Sequence, residues 1–216
     1  MWVGGRLAGK PAELVAPDAP IEASPAHPWV GRGALKLSHA LELWPIAVKG
    51  RTFLDLGAST GGFTEVCLAR GAARVFAVDV GHDQLHAALR ADPRVVNLER
   101  TDARDLTAAA VGAPDLIVAD LSFISLTKAL PPALTLAAPG AELVALVKPQ
   151  FETGPKAVGK GGVVRDPAAR LDALATVRTF LEGEGWQVRA TDESPILGGG
   201  GNVEFLLWAS RRYSTI

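Results

Sequence analysis

The chain has 216 residues, 48% of them apolar and 21% charged, and a formal net charge of −1. This composition excludes disorder, allows one large domain with a small appendage, and gives no global electrostatic pull toward nucleic acid. Any RNA site must therefore come from local clustering of charge. The single cysteine, Cys67, excludes an internal disulfide framework and fits a reduced cytoplasmic setting. In the helix-like run Thr64-Glu65-Val66-Cys67-Leu68-Ala69 it reads as a packed core thiol. No stretch approaches ~20 consecutive apolar residues, and the start, Met1-Trp2-Val3-Gly4-Gly5-Arg6, lacks a signal-peptide core. A soluble cytoplasmic protein with no membrane partner is expected.

Residues 1–30 are rich in Pro, Ala and Gly, with Pro11, Pro17, Pro20, Pro25 and Pro28, and read as a linker or the tail of another module. From Gly31 to Pro45 the spacing of Leu35, Leu37, Ala40, Leu41 and Leu43 predicts an amphipathic helix that carries Lys36. The apolar run from Thr52 to Asp55 then predicts a strand that breaks into a glycine-rich turn. Further strands are predicted at 74–80, 95–99, 116–120, 142–148, 186–191 and 203–209. Helices are predicted at 83–90, at 125–138 despite Pro131 and Pro132, and from Asp166 to about Glu184 with Pro167 at the first position. Between them lies a Gly- and Lys-rich loop at 150–162, long enough to suspect function. Apolar strands alternating with helices mean a parallel sheet covered on both faces. The last two strands lack an intervening helix, so the final one should be antiparallel. The expected fold class is α/β: a Rossmann-like, seven-stranded, mostly parallel sheet, as in S-adenosylmethionine (SAM) dependent methyltransferases.

Ligands of such sheets lie at the carboxyl ends of the strands. There the opening strand gives Asp55-Leu56-Gly57-Ala58-Ser59-Thr60-Gly61-Gly62-Phe63. The spacing Asp-x-Gly-x-Ser-x-Gly is not the Gly-x-Gly-x-x-Gly that seats a pyrophosphate on a helix N-terminus, which counts against the alternative of a nicotinamide-dependent dehydrogenase. It suits SAM, which carries an amino-acid tail and no phosphate. The cofactor-binding set is therefore Asp55, Gly57, Ser59, Thr60, Gly61, Gly62 and Phe63, together with the strand-end acids Asp79, Asp102 and Asp120. Asp79 is placed to accept both ribose hydroxyls and Asp102 the adenine amino group. Each acid alone is equally well read as a helix N-cap.

Strand-end acids are joined by two unusual charges. Lys148 ends an apolar strand, and Glu204 lies among apolar neighbours, either facing solvent or partnering Lys148. Asp120-Leu121-Ser122-Phe123 lacks the two prolines common where base amines are methylated. His82 and His86 stand four apart without a third ligand and read as surface residues, so no metal is expected. The tetraglycine Gly198 to Gly201 reads as a mobile connection. Charge clusters in 144–170, where Lys148, Lys156, Lys160, Arg165 and Arg170 face only Glu152 and Asp166.

Lys36, Asp120, Lys148 and Glu204 resemble, in order and element, the Lys-Asp-Lys-Glu tetrad of FtsJ-type RNA ribose 2′-O-methyltransferases. The phrases Gly31-Arg32-Gly33-Ala34-Leu35-Lys36-Leu37, Ser122-Phe123-Ile124-Ser125-Leu126, Lys148-Pro149-Gln150-Phe151-Glu152, Ser194-Pro195-Ile196 and Gly201-Asn202-Val203-Glu204-Phe205 resemble the TlyA/hemolysin-A branch, over about residues 29 to 210. The resemblance implies SAM-dependent methylation of cytidine ribose in ribosomal RNA, with rRNA or ribosomal subunits as partners and those four residues as the catalytic set. It also implies that 1–30 is the remnant of an N-terminal RNA-binding domain and that 31–212 is the methyltransferase domain. Lys148 is then the general base, in its neutral form, which the positive charges of Lys36 and the sulfonium and desolvation favour, while Asp120 and Glu204 position it and balance charge. The hemolysin label leaves a SAM-binding protein without methyl transfer as the alternative.

Overall fold

The apolar runs pair into one seven-stranded sheet in the computed structural model, which describes residues 2–7, 14–22 and 27–211. Near the N-terminus three two-residue strands, β1 (Trp2–Val3), β2 (Arg6–Leu7) and β3 (Ile21–Glu22), form a small antiparallel sheet in the stretch read as a linker or the tail of another module. Gly4 and Gly5 both adopt positive φ, the geometry of a tight hairpin turn. Pro11 and Pro25 lie outside the described residues, as does residue 212.

The main sheet contains β4 (Thr52–Leu56), β5 (Arg74–Asp79), β6 (Val95–Glu99), β7 (Leu116–Ala119), β8 (Glu142–Val147), β9 (Trp186–Glu193) and β10 (Phe205–Arg211). Their order is β6-β5-β4-β7-β8-β10-β9, with β10 antiparallel to both neighbours and the β4 to β8 pairings parallel. Helices α1 (Ala34–Leu43), α2 (Gly62–Ala69), α3 (Ala87–Arg90), α4 (Ala108–Val111), α5 (Leu126–Ala129), α6 (Pro131–Leu136), α7 (Pro149–Glu152) and α8 (Pro167–Gly183) complete it. Successive strand residues point to opposite faces, so Leu54 and Ile117 meet Leu130, Val177 and Leu181 of α6's lead-in and α8, while Phe53 and Val118 meet Leu37, Leu41 and Val66 of α1 and α2. Two apolar layers sandwich the sheet, which is why its central strands β4, β7 and β8 carry no exposed polar face, while the edge strand β9 alternates buried and exposed residues.

Several boundaries differ from the sequence reading. The helix expected at 83–90 shrinks to α3, because Glu99 accepts the backbone N–H groups of Asp83, Gln84 and Leu85 and holds that stretch as a loop. Those bonds, the one from Leu85 foremost, draw the Glu99 carboxyl down to about 2. Pro131 splits the expected 125–138 helix into α5 and α6, since proline has no N–H to continue the ladder. Residues 150–162 are not one loop: α7 and a 3-10 turn at Pro155–Ala157 occupy part of it. Glu204 stands just before β10 rather than within it.

Candidate active site

The strand-end charges come together where the sheet ends. Lys36 lies on the buried side of α1, 5% exposed, along with Leu37 and Ala40. Its Nζ donates to Glu204 Oε2 at 2.7 Å and stands 3.9 Å from Asp120 Oδ2. Lys148, directly after β8 and equally buried, places Nζ 2.6 Å from Asp120 Oδ1 and donates to Ser122 Oγ at 2.8 Å. Asp120 thus bridges two lysines, and the partner of Glu204 is Lys36, not Lys148 as the sequence suggested. Two ammoniums and two carboxylates cancel; without that pairing each buried ion would cost several kcal/mol. Gly198 makes room for the network: a Cβ there would fall 1.9 Å from Glu204 Oε1. Asn202, 2% exposed, spans Gly162, Val164 and Gly199 through its amide and ties the tetraglycine turn to the preceding loop. The tetraglycine is therefore a fitted turn around Glu204, not a slack connection.

Beside the tetrad, the turn after β4 forms a cradle. Gly57 has φ +80°, and a Cβ on it would lie 2.7 Å from the Asp120 carbonyl oxygen, so only glycine lets the ends of β4 and β7 close. A cavity of about 220 Å³ is bordered by Gly57, Ser59, Thr60, Gly62, Phe63 and Asp120, with Gly31 to Gly33 across from them. Asp79 accepts the N–H groups of Ser59 and Gly81, one on each oxygen and both at 2.8 Å. A carboxylate has about four acceptor positions, so each oxygen keeps one for a ligand hydroxyl. Those features fit a ribose-bearing ligand with a small polar tail.

Three residues of the expected cofactor set are placed differently. Asp55 is fully buried beneath the cradle and does not border the cavity. Its Oδ2 accepts from Thr64 Oγ1 at 2.7 Å, and its Oδ1 has no hydrogen-bond partner. Burial pushes its carboxyl up to about 7, against the Thr64 bond and helped by the neighbouring charges of Asp120 and Asp79. Gly61, at φ +100°, is glycine for packing: a Cβ would strike Leu89 Cδ1 at 2.2 Å. Asp102 caps the 3-10 turn Ala103–Asp105 and is held side-on by Arg104, at 3.0 Å to Nε and 2.7 Å to Nη2. Arg104 draws its carboxyl down to about 2. It still borders a cavity of about 610 Å³ that includes Val80, Leu121, Phe123 and Gln150. His82 and His86 do not share a helix; His86 Nδ1 instead caps α3 by accepting from Ala88 N.

Other site residues were quoted only as parts of phrases. Phe123 has φ +65° and is 91% exposed, with its ring 5.2 Å from that of Phe151. Both phenylalanines, with Ser122 and Gln150, also border a cavity of about 290 Å³ that reaches Lys148 and Glu204. Glu152 locks the loops after β7 and β8 together, accepting from Ser125 Oγ at 2.6 Å and Leu126 N at 2.8 Å. An aromatic residue at positive φ is rarely tolerated, and no sequence signal distinguished this one.

A mostly parallel sheet with one reversed strand slotted between β8 and β9, a glycine cradle after β4 and charged residues gathered at the strand ends define a Rossmann-like methyltransferase. Residues 29–211 match the FtsJ-like methyltransferase model. The chain is 51% identical over 209 residues to the 16S/23S rRNA (cytidine-2′-O)-methyltransferase TlyA of Mycobacterium tuberculosis, covering 95% of this chain and 78% of the relative. It is 39% identical over 181 residues to the 23S rRNA (cytidine-2′-O)-methyltransferase TlyA of Campylobacter jejuni, covering 83% of this chain and 70% of the relative. A solved structure from Lactococcus lactis described as a hemolysin superposes with a TM-score of 0.82 at 42% identity, covering 85% of this chain and 89% of that one. The chain belongs to the FtsJ-like methyltransferase family, and the dehydrogenase alternative falls away.

Proposed function

We propose that this chain is a SAM-dependent methyltransferase acting on a ribose 2′-hydroxyl, that of a cytidine in ribosomal RNA. The observation that carries the reading is the meeting of Lys36, Asp120, Lys148 and Glu204 beside the β4 cradle. The backbone of Gly57 to Thr60 and Gly62, together with Asp79, would hold SAM, with Val80 and Asp102 toward its adenine, and the group would supply an electrophilic methyl there. Lys148 first releases to solvent the proton it carries in the resting ion pair; as the amine it then takes the proton of the 2′-hydroxyl, and Asp120 balances the ammonium that results. Lys36 and Glu204 hold Asp120 from the other side. Alignment of the reacting groups can supply about 7 to 11 kcal/mol of the barrier, so a network that fixes side-chain directions contributes as much as one that shifts protons.

The aromatic pair Phe123 and Phe151 lies within reach of the same cavity and offers a platform on which an unstacked base can lie; such stacking is worth about 1–3 kcal/mol per base. Exposed Lys156, Lys160 and Arg165, in the segment that follows Phe151 in the chain, suit a phosphate backbone, although the chain has almost no net charge. Residues 1–30 are assigned to the remnant of an RNA-binding module and 31–212 to the catalytic domain. Among the described residues no helix is long and apolar enough to cross a membrane, and a cytoplasmic, ribosome-associated role follows from the rRNA substrate. The test is transfer of tritiated methyl from SAM to free rRNA and to isolated subunits. Label in RNA supports the reading, and calorimetric SAM binding without any label transfer would favour the non-catalytic alternative.

A further inference from the structure

Lys148 has a second partner that the tetrad does not include. Its Nζ donates to Ser122 Oγ at 2.8 Å while lying 2.6 Å from Asp120 Oδ1, and Ser122 borders the same cavity as Lys148 and Glu204. A neutral amine nitrogen has four tetrahedral corners: Cε, two N–H bonds and one lone pair. Asp120 Oδ1 lies 2.6 Å away as an ion-pair partner but makes no directed hydrogen bond, so by itself it leaves rotation about Cε–Nζ open. Ser122, accepting one N–H, fixes that rotation; the charge of Asp120 then draws the other N–H to its side, and the lone pair has a single direction left.

We propose that Ser122 is a positioning residue of the methyl-transfer site, its hydroxyl aiming the Lys148 lone pair at the substrate 2′-hydroxyl. The inference rests on the reading of Lys148 as general base. In the step it serves, the O2′–H bond breaks and its proton joins Nζ, while O2′ bonds to the methyl carbon and the carbon–sulfur electron pair returns to sulfur. The third N–H of the new ammonium then occupies the corner that held the lone pair, and the anchors to Asp120 and Ser122 persist. The fold supports the aim. Ser122 precedes the positive-φ turn at Phe123, and Glu152 pins the following residues, Ser125 and Leu126, to the segment that begins with Lys148. Base and aiming hydroxyl therefore belong to two loops that are locked to each other.

The full chain carrying Ser122→Ala, Ser122→Thr or Lys148→Ala is assayed for methyl transfer to rRNA, with SAM binding followed by calorimetry. Ser122→Ala is expected to lower kcat about 10-fold or more, the scale of lost orientation, with the RNA KM and the SAM Kd unchanged. Ser122→Thr, which keeps the hydroxyl, is expected to recover most of the rate. An unchanged kcat in Ser122→Ala, a loss confined to KM, or equal losses for Ala and Thr would overturn the role of Ser122 while leaving Lys148 in place. Full activity in Lys148→Ala would instead overturn the base reading and this inference with it.

Discussion

Asp55 offers the sharpest physical test, because burial and neighbouring charge act on one carboxyl. Its ordinary value of 3.8 is raised to about 7 in the folded chain. Between those values the folded protein holds a proton that the unfolded chain has released, so stability falls as pH rises, by up to about 1.4 kcal/mol per pH unit. The loss is absent below pH 4, grows through the window and is complete above about 7, where it reaches roughly 4 kcal/mol. Asp55→Asn removes the charge and keeps the Thr64 bond through the amide oxygen. Its NH2 needs an acceptor where Oδ1 now has no partner, and a buried donor left unpaired costs about 1–3 kcal/mol. The variant is thus expected to be slightly less stable than wild type at pH 4.5 and about 1–3 kcal/mol more stable at pH 8. Urea unfolding at intervals of pH from 4.5 to 8 measures both curves. Parallel curves would refute the reasoning, since the carboxyl would then bear no unusual load. The gain at pH 8 would also explain why an acid sits there at all: it is retained against stability, as a functional group would be.

Two further changes probe the site's architecture. Gly198→Ala forces a methyl group into Glu204 Oε1, 1.9 Å away, and is expected to displace the carboxylate from Lys36; methyl transfer should fall at least 10-fold while circular dichroism stays native. Phe123→Ala removes the exposed face of the aromatic pair, and loss of about 1–3 kcal/mol of stacking should raise the RNA KM about 5- to 150-fold with SAM affinity unaltered, as read by steady-state kinetics and calorimetry.

The sheet was legible because its central strands are buried on both faces. Runs such as Leu116-Ile117-Val118-Ala119 admit no amphipathic alternative, and their spacing leaves room only for crossover helices. The tetrad was legible as residue types that an apolar strand end does not normally carry. What could not be read were pairings set by three-dimensional approach. Glu204 meets Lys36 across 168 positions, and nothing in the sequence favours that partner over Lys148. Asp102 was legible as a strand-end acid, but its pairing with Arg104, two residues on, was not, because that is a rotamer choice and not a pattern. Asp55 and Gly61 were placed correctly on the motif, but their side-chain environments depend on Thr64 and Leu89 packing behind the loop. Ser122 was invisible for the same reason, a common residue made significant by the amine 2.8 Å away.

The most direct measurement is nucleoside mass spectrometry of rRNA incubated with SAM and either the wild-type chain or Lys148→Ala. Wild type should yield 2′-O-methylcytidine, and Lys148→Ala should yield none while binding SAM with normal affinity. A methyl found on a base nitrogen or carbon, or ribose methylation undiminished by Lys148→Ala, would contradict a ribose-directed site built on that lysine.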